Sequence, residues 1–595
     1  MSAHRLLVRL ELEGPILTSA TNPGALGIDT PFARMRDHKL YFPGTLVKGK
    51  LLQAWRELDG WDGVFPNSTE SGTWLGSKTG NARTEAERTH SFDPSRGRAY
   101  FSDFVDASSA GRTALRTRIK MDEARGAADD GMMQISESPY ASGERATFEG
   151  TIDFWEKGTG ELRRFTEAVR LGLSAVPSFG AERGIGFGRL CSVNVTEAPN
   201  RQASASSASL PAGVSAGLVL STMDLLCLAQ PQASANLFQS SDIIPGSAIK
   251  GAIAQMKDHA GVNAFPLLER YLSRIRIRHA RPVGSDGQGE IPPAIPFSVV
   301  FTGKQWKDAV HCQQAVAVDR QAPSFQPDWK DADWGTAGDS FGVKRPDREL
   351  RVRTAIDGPK RRALDENLFA YEAVVPDGYR WVSAIDLYEV PQGDRQPLWV
   401  EIQGLLSGGL FGIGKTKALM TVALGGTPSP KFGSAGLSDA SLTVQLQTPA
   451  LLGTPTEWQV ARTADDVLQI YRTAWAELSH NRLELSHYFA RQELAGGWYL
   501  HRRFRKGLPY QPWLLTSAGS VFVFRGIQPG AGEHLQEWLE RGLPIDDRLV
   551  EPNQLGGDRF RYWERCPYVP ENGYGEIGVN LHLNWKDHLL EERNA

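Results

Sequence analysis

One eight-residue pattern occurs twice, and it limits what this chain can fold into more than any other feature. Residues 42–49 read Phe-Pro-Gly-Thr-Leu-Val-Lys-Gly, and residues 244–251 read Ile-Pro-Gly-Ser-Ala-Ile-Lys-Gly. Each copy follows an alternating, strand-like stretch and opens a helix-like one, Leu51 to Leu58 and Ala252 to His259. The Pro-Gly pair makes a turn, Thr45 or Ser247 is placed to cap a helix, and Lys48 or Lys250 falls in its first turn. A lysine there opposes the helix dipole. It makes sense if an anion sits at the helix start, where free amides and the ammonium converge. A pattern repeated at this distance also predicts tandem units of one build.

Three glycine-rich loops, each leading into a short strand, support that division. They are Gly184-Ile-Gly-Phe-Gly-Arg189, Gly408-Gly-Leu-Phe-Gly-Ile-Gly-Lys-Thr-Lys417 and Gly573-Tyr-Gly-Glu-Ile-Gly578. Glycines allow close backbone approach to a phosphate, and equally allow a tight turn with positive φ. Gly184, Gly186, Gly188, Arg189, Gly412, Gly414, Lys415, Gly573 and Gly575 are therefore candidate phosphate-binding positions. Residues 409–416 fit the Walker A pattern. However, a helical stripe (Leu398 to Leu406) precedes them and a strand-like run (Leu419 to Leu424) follows, the reverse of a P-loop. ATP binding is not expected.

Breaks in composition complete the map. Residues 201–214 are rich in Ser and Ala with one Pro and read as a flexible linker, and residues 425–436 are rich in Gly and Pro. The expected units are 1–200, 215–424 and 437–595. A chain of 595 residues exceeds one core. Residues 465–494 of the third unit read as a helix pair, with Val467, Ile470, Tyr471, Trp475 and Leu478 at helical spacing. A core helix and a docking element are both open readings of it.

Net charge is -3, which does not suggest a free-standing nucleic-acid binder. Basic residues are instead clustered, at 344–362 and at 501–506. The cysteines at 191, 227, 312 and 566 have no zinc-ligand spacing, so neither zinc nor a disulfide framework is expected. No apolar span or signal-peptide pattern is evident, and a cytoplasmic, non-membrane protein is expected.

Together the Pro-Gly-Ser/Thr-x-x-Lys-Gly turns and the glycine-rich loops resemble the RAMP superfamily of CRISPR proteins. The resemblance implies an α+β fold of tandem modified RRM (ferredoxin-like) domains with β-hairpin thumb insertions. The first unit resembles the backbone subunit of type III effectors, through Gly24 to Asp37, Gly97 to Asp103 and Arg116-Thr-Arg118-Ile-Lys120. The last stretch opens a thumb-like region at about 112–148. In that family an aspartate before a small residue and a proline cleaves target RNA, and Asp29 occupies that place. A divalent metal, Mg2+ or another, is implied with it. Asp37 reads as a turn residue, with Asp242 before the second turn. Fourteen residues before Pro245 stands Pro231, so the second unit lacks the aspartate.

The second and third units resemble a double-RAMP cap subunit of III-D-like complexes, which holds the 5′ tag of the CRISPR RNA. Arg34, Arg36, Thr45, Lys48, Arg116, Arg118, Lys120, Ser247, Lys250, Arg351 and Arg353 join the expected RNA contacts. The implied partners are CRISPR RNA, target RNA, other backbone RAMP proteins, a large polymerase/cyclase-like subunit and a small helical subunit. Two other functions are open: a scaffold that never cuts, and a guide-processing ribonuclease using His38 or His90.

Overall fold

A computed structural model describes residues 2–19, 27–59, 61–76, 97–107, 114–122, 124–199, 210, 214–230, 236–261, 263–285, 291–302, 305–308, 310, 341–343, 345–357, 362–425, 432–433, 442–497, 500–501, 504, 509–510, 512–549 and 558–581. His90, most of the 201–214 and 425–436 segments, Pro231, Cys312, Lys344, Lys360, Arg361, Arg502, Arg503, Arg505 and Lys506 lie outside these residues. Among those described, no helix is long and apolar enough to cross a membrane.

The chain is mixed α and β, with several antiparallel sheets. One order of elements occurs three times. The first unit runs β1 (Ser2–Glu13), β2 (Tyr41–Phe42), α1 (Gly44–Glu57), α2 (Ser68–Leu75), β3 (Ala99–Phe101), β4 (Phe104–Asp106), β5 (Leu115–Asp122), β6 (Ala127–Glu137), β7 (Arg145–Glu156), α3 (Glu161–Ser174) and β8 (Arg189–Ala198). Its sheet is ordered β2-β4-β7-β1-β8, with β3 also on β7. Leu6, Val8, Leu10 and Leu12 point every second residue into the core, where they meet Phe165, Val169 and Leu173 of α3. All the buried residues of this core come from residues 6–187.

The second unit has β9 (Ser215–Ser221), β10 (Leu237–Gln239), α4 (Gly246–Ala260), α5 (Pro266–Tyr271), β11 (Arg276–Ile277), β12 (Arg281–Gly284), β13 (Val299–Thr302), β14 (Gln305–Asp308), β15 (Arg348–Asp357), β16 (Arg362–Val374), β17 (Tyr379–Asp386), α6 (Gln392–Leu406), β18 (Leu410–Ile413) and β19 (Ala418–Leu424). Its sheet is ordered β11-β17-β9-β19-β18, with β12 also on β17. The third has β20 (Phe432–Gly433), β21 (Leu442–Leu446), α7 (Pro455–Val460), α8 (Ala464–Leu478), β22 (Leu483–Phe489), β23 (Gln492–Ala495), β24 (Trp513–Thr516), β25 (Val521–Ile527), α9 (Ala531–Arg541) and β26 (Ile577–Val579), in the order β20-β26-β21-β25-β22.

In each unit the third principal strand pairs between the first and second, and the last pairs on the other side of the first. Each therefore reads β-α-β-β-α-β, with the last helix packed before the last strand. Hairpins separate the second and third principal strands: β5–β6 in the first unit, β13–β14 and β15–β16 in the second, and β23–β24 in the third.

Several local readings change. Residues 465–494 hold one helix and two strands, not a helix pair. After α8 the residues Leu483 and Leu485 alternate inward, and period two wins over period 3.6. Tyr471, Trp475 and Leu478 line the third core, and Ile470 is buried beside Gly453. The thumb-like hairpin ends at Glu137, and Phe148 belongs to the core strand β7. Thr45 and Ser247 are not caps: Pro43 and Pro245 hold the N-cap positions without a side-chain cap bond.

Both helix starts rest against a break in the unit's second principal strand. The break lies between β3 and β4 in the first unit and between β11 and β12 in the second. A methyl group on Gly44 would overlap the carbonyls of Phe101 and Ser102, and one on Gly246 that of Ile277. Gly44→Ala is accordingly expected to cost about 1–3 kcal/mol, because the backbone must shift. A urea-unfolding midpoint no lower than that of the parent chain would contradict this packing.

Candidate nucleic-acid interface

The helix start of the first unit is covered by the second unit. Asp103, in the strand break, accepts the Gly44 N–H at 2.9 Å through Oδ1 and the Arg351 guanidinium at 2.5 Å through Oδ2. Arg351 also lies over the Tyr41 ring at 4.8 Å, and Arg353 donates to Thr45 Oγ1 at 2.6 Å. Both arginines come from β15. The second unit's glycine-rich loop meets the same face: Phe411 packs on Tyr100 and Trp155, with ring centroids 5.4 and 4.7 Å away. Arg36 pairs with Asp347 across the same boundary.

The second helix start is covered by the third unit in a similar way. Lys250 donates to the carbonyls of Ser273 at 3.4 Å and Glu571 at 3.3 Å. Register places His279 where Asp103 stands, because Phe42 pairs with Phe104 and Ile244 with Ala280. His279 meets the Tyr574 ring edge-on at 4.7 Å. Burial, and then the charges of Arg281 and Arg276, push its pKa down to about 3. Nearby, Asp386 holds Arg278 at 2.9 Å, and Glu576 of the third unit stands 3.5 Å from the same guanidinium.

Lys250 is thus a buried part of a joint, whereas Lys48 is half-buried and bonds within its own unit. Burial lowers the Lys250 pKa to about 8, and burial plus the charge of Lys417 does the same for Lys48. Lys48 donates to the Leu75 carbonyl at 2.5 Å. Sequence spacing showed where the helices start but not that another unit seats on them. Asp103, His279, Tyr100, Trp155 and Phe411 were not among the expected contacts, since nothing local marks a residue whose partner lies in another unit.

Asp29 has a different setting. It is exposed, and its Oδ2 accepts the Ile135 N–H at 2.7 Å from the hairpin strand β6. Its own N–H donates to the Ile135 carbonyl at 2.9 Å. Glu137, at the base of β6, accepts the Phe32 N–H at 2.9 Å and pairs with Arg34. Across the hairpin, Arg118 pairs with Glu182, and Arg116 lies 5.0 Å over the Phe187 ring of the first glycine-rich loop. Asp29, the thumb-like hairpin and that loop therefore converge.

Register also gives the second unit's equivalent of Asp29. Thr30 pairs in parallel with Ser136, and Phe238 with Tyr371. The preceding residues are Asp29 and Leu237. The carboxylate is replaced by leucine, whereas simple counting had pointed to Pro231.

Asp37 makes a local turn with Lys39, whose ammonium lowers the Asp37 pKa. Asp242 accepts from Arg348 at 2.9 Å. His38 sits at positive φ and offers its carbonyl to Arg34. Lys120 pairs with Asp129 at 2.8 Å. Arg189 is 72% exposed, 3.9 Å from Glu13. Lys415 lies 4.5 Å over the Phe238 ring, and strand β19 follows its loop, so the Walker-like run has no helix after it. Ser247 hydrogen-bonds Tyr574 in the second joint.

Among the described residues, no group of three or more His, Cys, Asp or Glu forms a metal cage. One carboxylate can still share a Mg2+ with substrate phosphates, which is a common arrangement for that ion.

No family model matches the chain, and no curated protein matches it. Among solved structures, one chain of "the Type III-B Cmr-beta bound to cognate target RNA" is 15% identical, with a TM-score of 0.23 over 33% of this chain and 62% of that one. The aligned part is therefore less than two thirds of that neighbour. A chain of the Cmr-beta complex with cognate target RNA and AMPPnP is 12% identical, with a TM-score of 0.30 over 55% of this chain and 95% of that one. Likeness at this level decides nothing about function.

The joints make a pH prediction. The pKa of His279 is depressed in the folded chain to about 3, against about 6.5 when unfolded. The unfolded state therefore binds one proton more between those values, and stability falls as pH drops below about 6.5. His279→Leu should make the fall between pH 6 and 4 shallower by roughly 1.4 kcal/mol per pH unit. Equal slopes in pH-resolved urea unfolding would contradict the burial of His279.

Proposed function

We propose that this chain is an RNA-binding subunit of a type III CRISPR effector complex, built from three tandem RAMP-type units. The observation that carries the reading is the threefold β-α-β-β-α-β order, which is the ferredoxin-like order, with a hairpin always inserted between the second and third principal strands. The Pro-Gly helix starts and glycine-rich loops fall at matching places in that order. The first hairpin is solvent-exposed along β5 and carries Arg116, Arg118 and Lys120. It suits contact with a guide-target duplex, where base pairing supplies sequence selectivity. The third unit begins α8 with a Thr463 capping box and not a Pro-Gly turn. It thus suits a terminal, cap-like position toward the 5′ tag of the CRISPR RNA.

In this reading Asp29 cuts target RNA. One of its carboxylate oxygens is fixed by the Ile135 N–H, which orients the other toward solvent beside the hairpin. The 2′-hydroxyl of a nucleotide displaced by the hairpin attacks the adjacent phosphate. The P–O5′ bond breaks, leaving a 2′,3′-cyclic phosphate and a 5′-hydroxyl. Asp29 takes the 2′-hydroxyl proton or helps hold Mg2+, an ion that would stabilise phosphate charge. Leu237 cannot do either, so a single cut is expected from the first two units.

Asp29→Asn keeps an acceptor for Ile135 and removes the charge. In the reconstituted complex it should remove one cleavage product and leave RNA affinity within about twofold. A full set of fragments would reject the catalytic role and leave the scaffold reading. A second measurement addresses the phosphate contacts. Arg189→Ala should weaken RNA binding and lower the salt slope by about one, whereas Lys250→Met, buried in a joint, should leave the slope unchanged. Equal effects on the slope would contradict the assignment of Lys250 to the joint.

A further inference from the structure

The place that holds Asp29 in the first unit is built from different residues in the second. Backbone bonds that both units make fix the correspondence. Ala33 N–H donates to the Thr18 carbonyl at 2.8 Å, and Ser241 N–H to that of Leu228 at 2.8 Å. Ala181 N–H donates to the Leu17 carbonyl at 2.7 Å, and Lys415 N–H to that of Cys227 at 2.7 Å. Thr30 therefore corresponds to Phe238, and Ala181 to Lys415. Thr30 pairs with Ser136, and Phe238 with Tyr371. Ser136 thus corresponds to Tyr371, and Gln134, on the same face of β6, to Phe369 of β16.

The replacements are all of one kind. The first unit is polar here: Gln134 donates to the Thr30 hydroxyl at 3.1 Å, beside Asp29. The second unit has rings at these places. Phe238 stacks on Tyr371, with centroids 5.6 Å apart and planes at 26°, and Phe369 meets Tyr371 edge-on at 5.5 Å. All three rings are half-buried, and Leu368 beside them is 54% exposed. Such a cluster leaves aromatic surface in water, where phenylalanine is seldom placed without a use. Cations stand over it. The exposed Lys415 ammonium lies 4.5 Å from the centre of the Phe238 ring, and the Arg353 guanidinium 5.9 Å from that of Tyr371. The hairpin does not need these rings to form, because β5 and β6 pair over the same stretch with polar residues there.

We infer that this place in the second unit is a site for an unpaired nucleobase of single-stranded RNA. The base stacks against the cluster of Phe238, Phe369 and Tyr371, and Lys415 moves from the ring to the phosphate beside that base. The relative strengths favour this exchange. An exposed ammonium over a phenylalanine ring is a weak contact. A base on an aromatic ring is a stronger one, and it tolerates any base because each has a flat face. The displaced ammonium gains a phosphate as partner. Leu237 stands where Asp29 does, so the nucleotide is held here and not cut. The inference rests on the RNA-binding reading above but not on cleavage by Asp29.

The test measures the affinity of the full chain for two RNA strands of about ten nucleotides, an oligoadenylate and the same sugar-phosphate backbone without bases. The oligoadenylate should bind more tightly by at least about fivefold, as expected for a single base–ring stack. Phe238→Leu with Phe369→Leu keeps an apolar side chain at both places and removes the rings. That variant should lower the ratio of the two affinities by at least about fivefold. A loosened hairpin would weaken both strands alike, so the ratio isolates stacking from folding. Lys415→Ala, which copies the first unit, should weaken both strands and lower the salt slope by about one. In the guide-loaded chain, with and without target, 2-aminopurine scanned along each strand shows which one supplies the base: the stacked position regains emission in the ring variant. The inference is overturned if the ratio survives loss of the rings, if Lys415→Ala leaves the salt slope unchanged, or if no position in either strand regains emission. Any of these with RNA still bound leaves the proposed function standing. Failure of the unaltered chain to bind either strand would reject both.

Discussion

The arrangement of the first two units turns on one carboxylate. Asp103 sits in a strand break and accepts two donors, the Gly44 amide that begins α1 and the Arg351 guanidinium that arrives from the next unit. Burial works against the Arg351 charge, but Asp103, Tyr41 and Glu349 outweigh it and raise the Arg351 pKa. An interrupted strand thus supplies both the seat for a helix and the anchor for a neighbour. The second joint uses the same position differently. His279 replaces Asp103 and offers a neutral ring to Tyr574, while charge is balanced one residue away, between Arg278, Asp386 and Glu576. The shared geometry is backbone, and the chemistry that locks it differs from joint to joint.

Much of this order was legible from the chain itself, because helix starts, glycine turns and strand alternation are local. The stripe Leu398 to Leu406 gave α6, and the Pro-Gly turns gave the starts of α1 and α4. What could not be read was the use of those starts. An exposed helix start with a lysine and a buried one look alike in sequence. Lys48 and Lys250 turned out to donate to carbonyls inside the molecule. Asp103 lay within a stretch already singled out, yet its role depends on a residue 248 positions away. The helix expected beyond residue 480 failed for a simpler reason: α8 ends at Leu478, and the apolar spacing changes immediately after it.

Asp29 illustrates the opposite case, a residue whose neighbourhood the sequence did anticipate. The loop carrying it, the hairpin and the first glycine-rich loop are connected by short-range hydrogen bonds and a cation–ring contact. The exposed aspartate stands at the base of the hairpin. Its counterpart in the second unit is Leu237, found by register and not by counting, because the two loops differ in length. The first and second units share a Pro-Gly start and an arginine pair on the hairpin, whereas the third starts α8 at a capped threonine.

Two of the glycine-rich loops, 408–417 and 573–578, seat one unit on the unit before it. Hydrogen–deuterium exchange on the full chain tests it directly, because joint burial slows local opening. Backbone amides in 409–417 and 571–576 should exchange slowly, and those in 183–189 fast. Equally fast exchange in all three loops, or a protected 183–189 loop in the isolated chain, would contradict it.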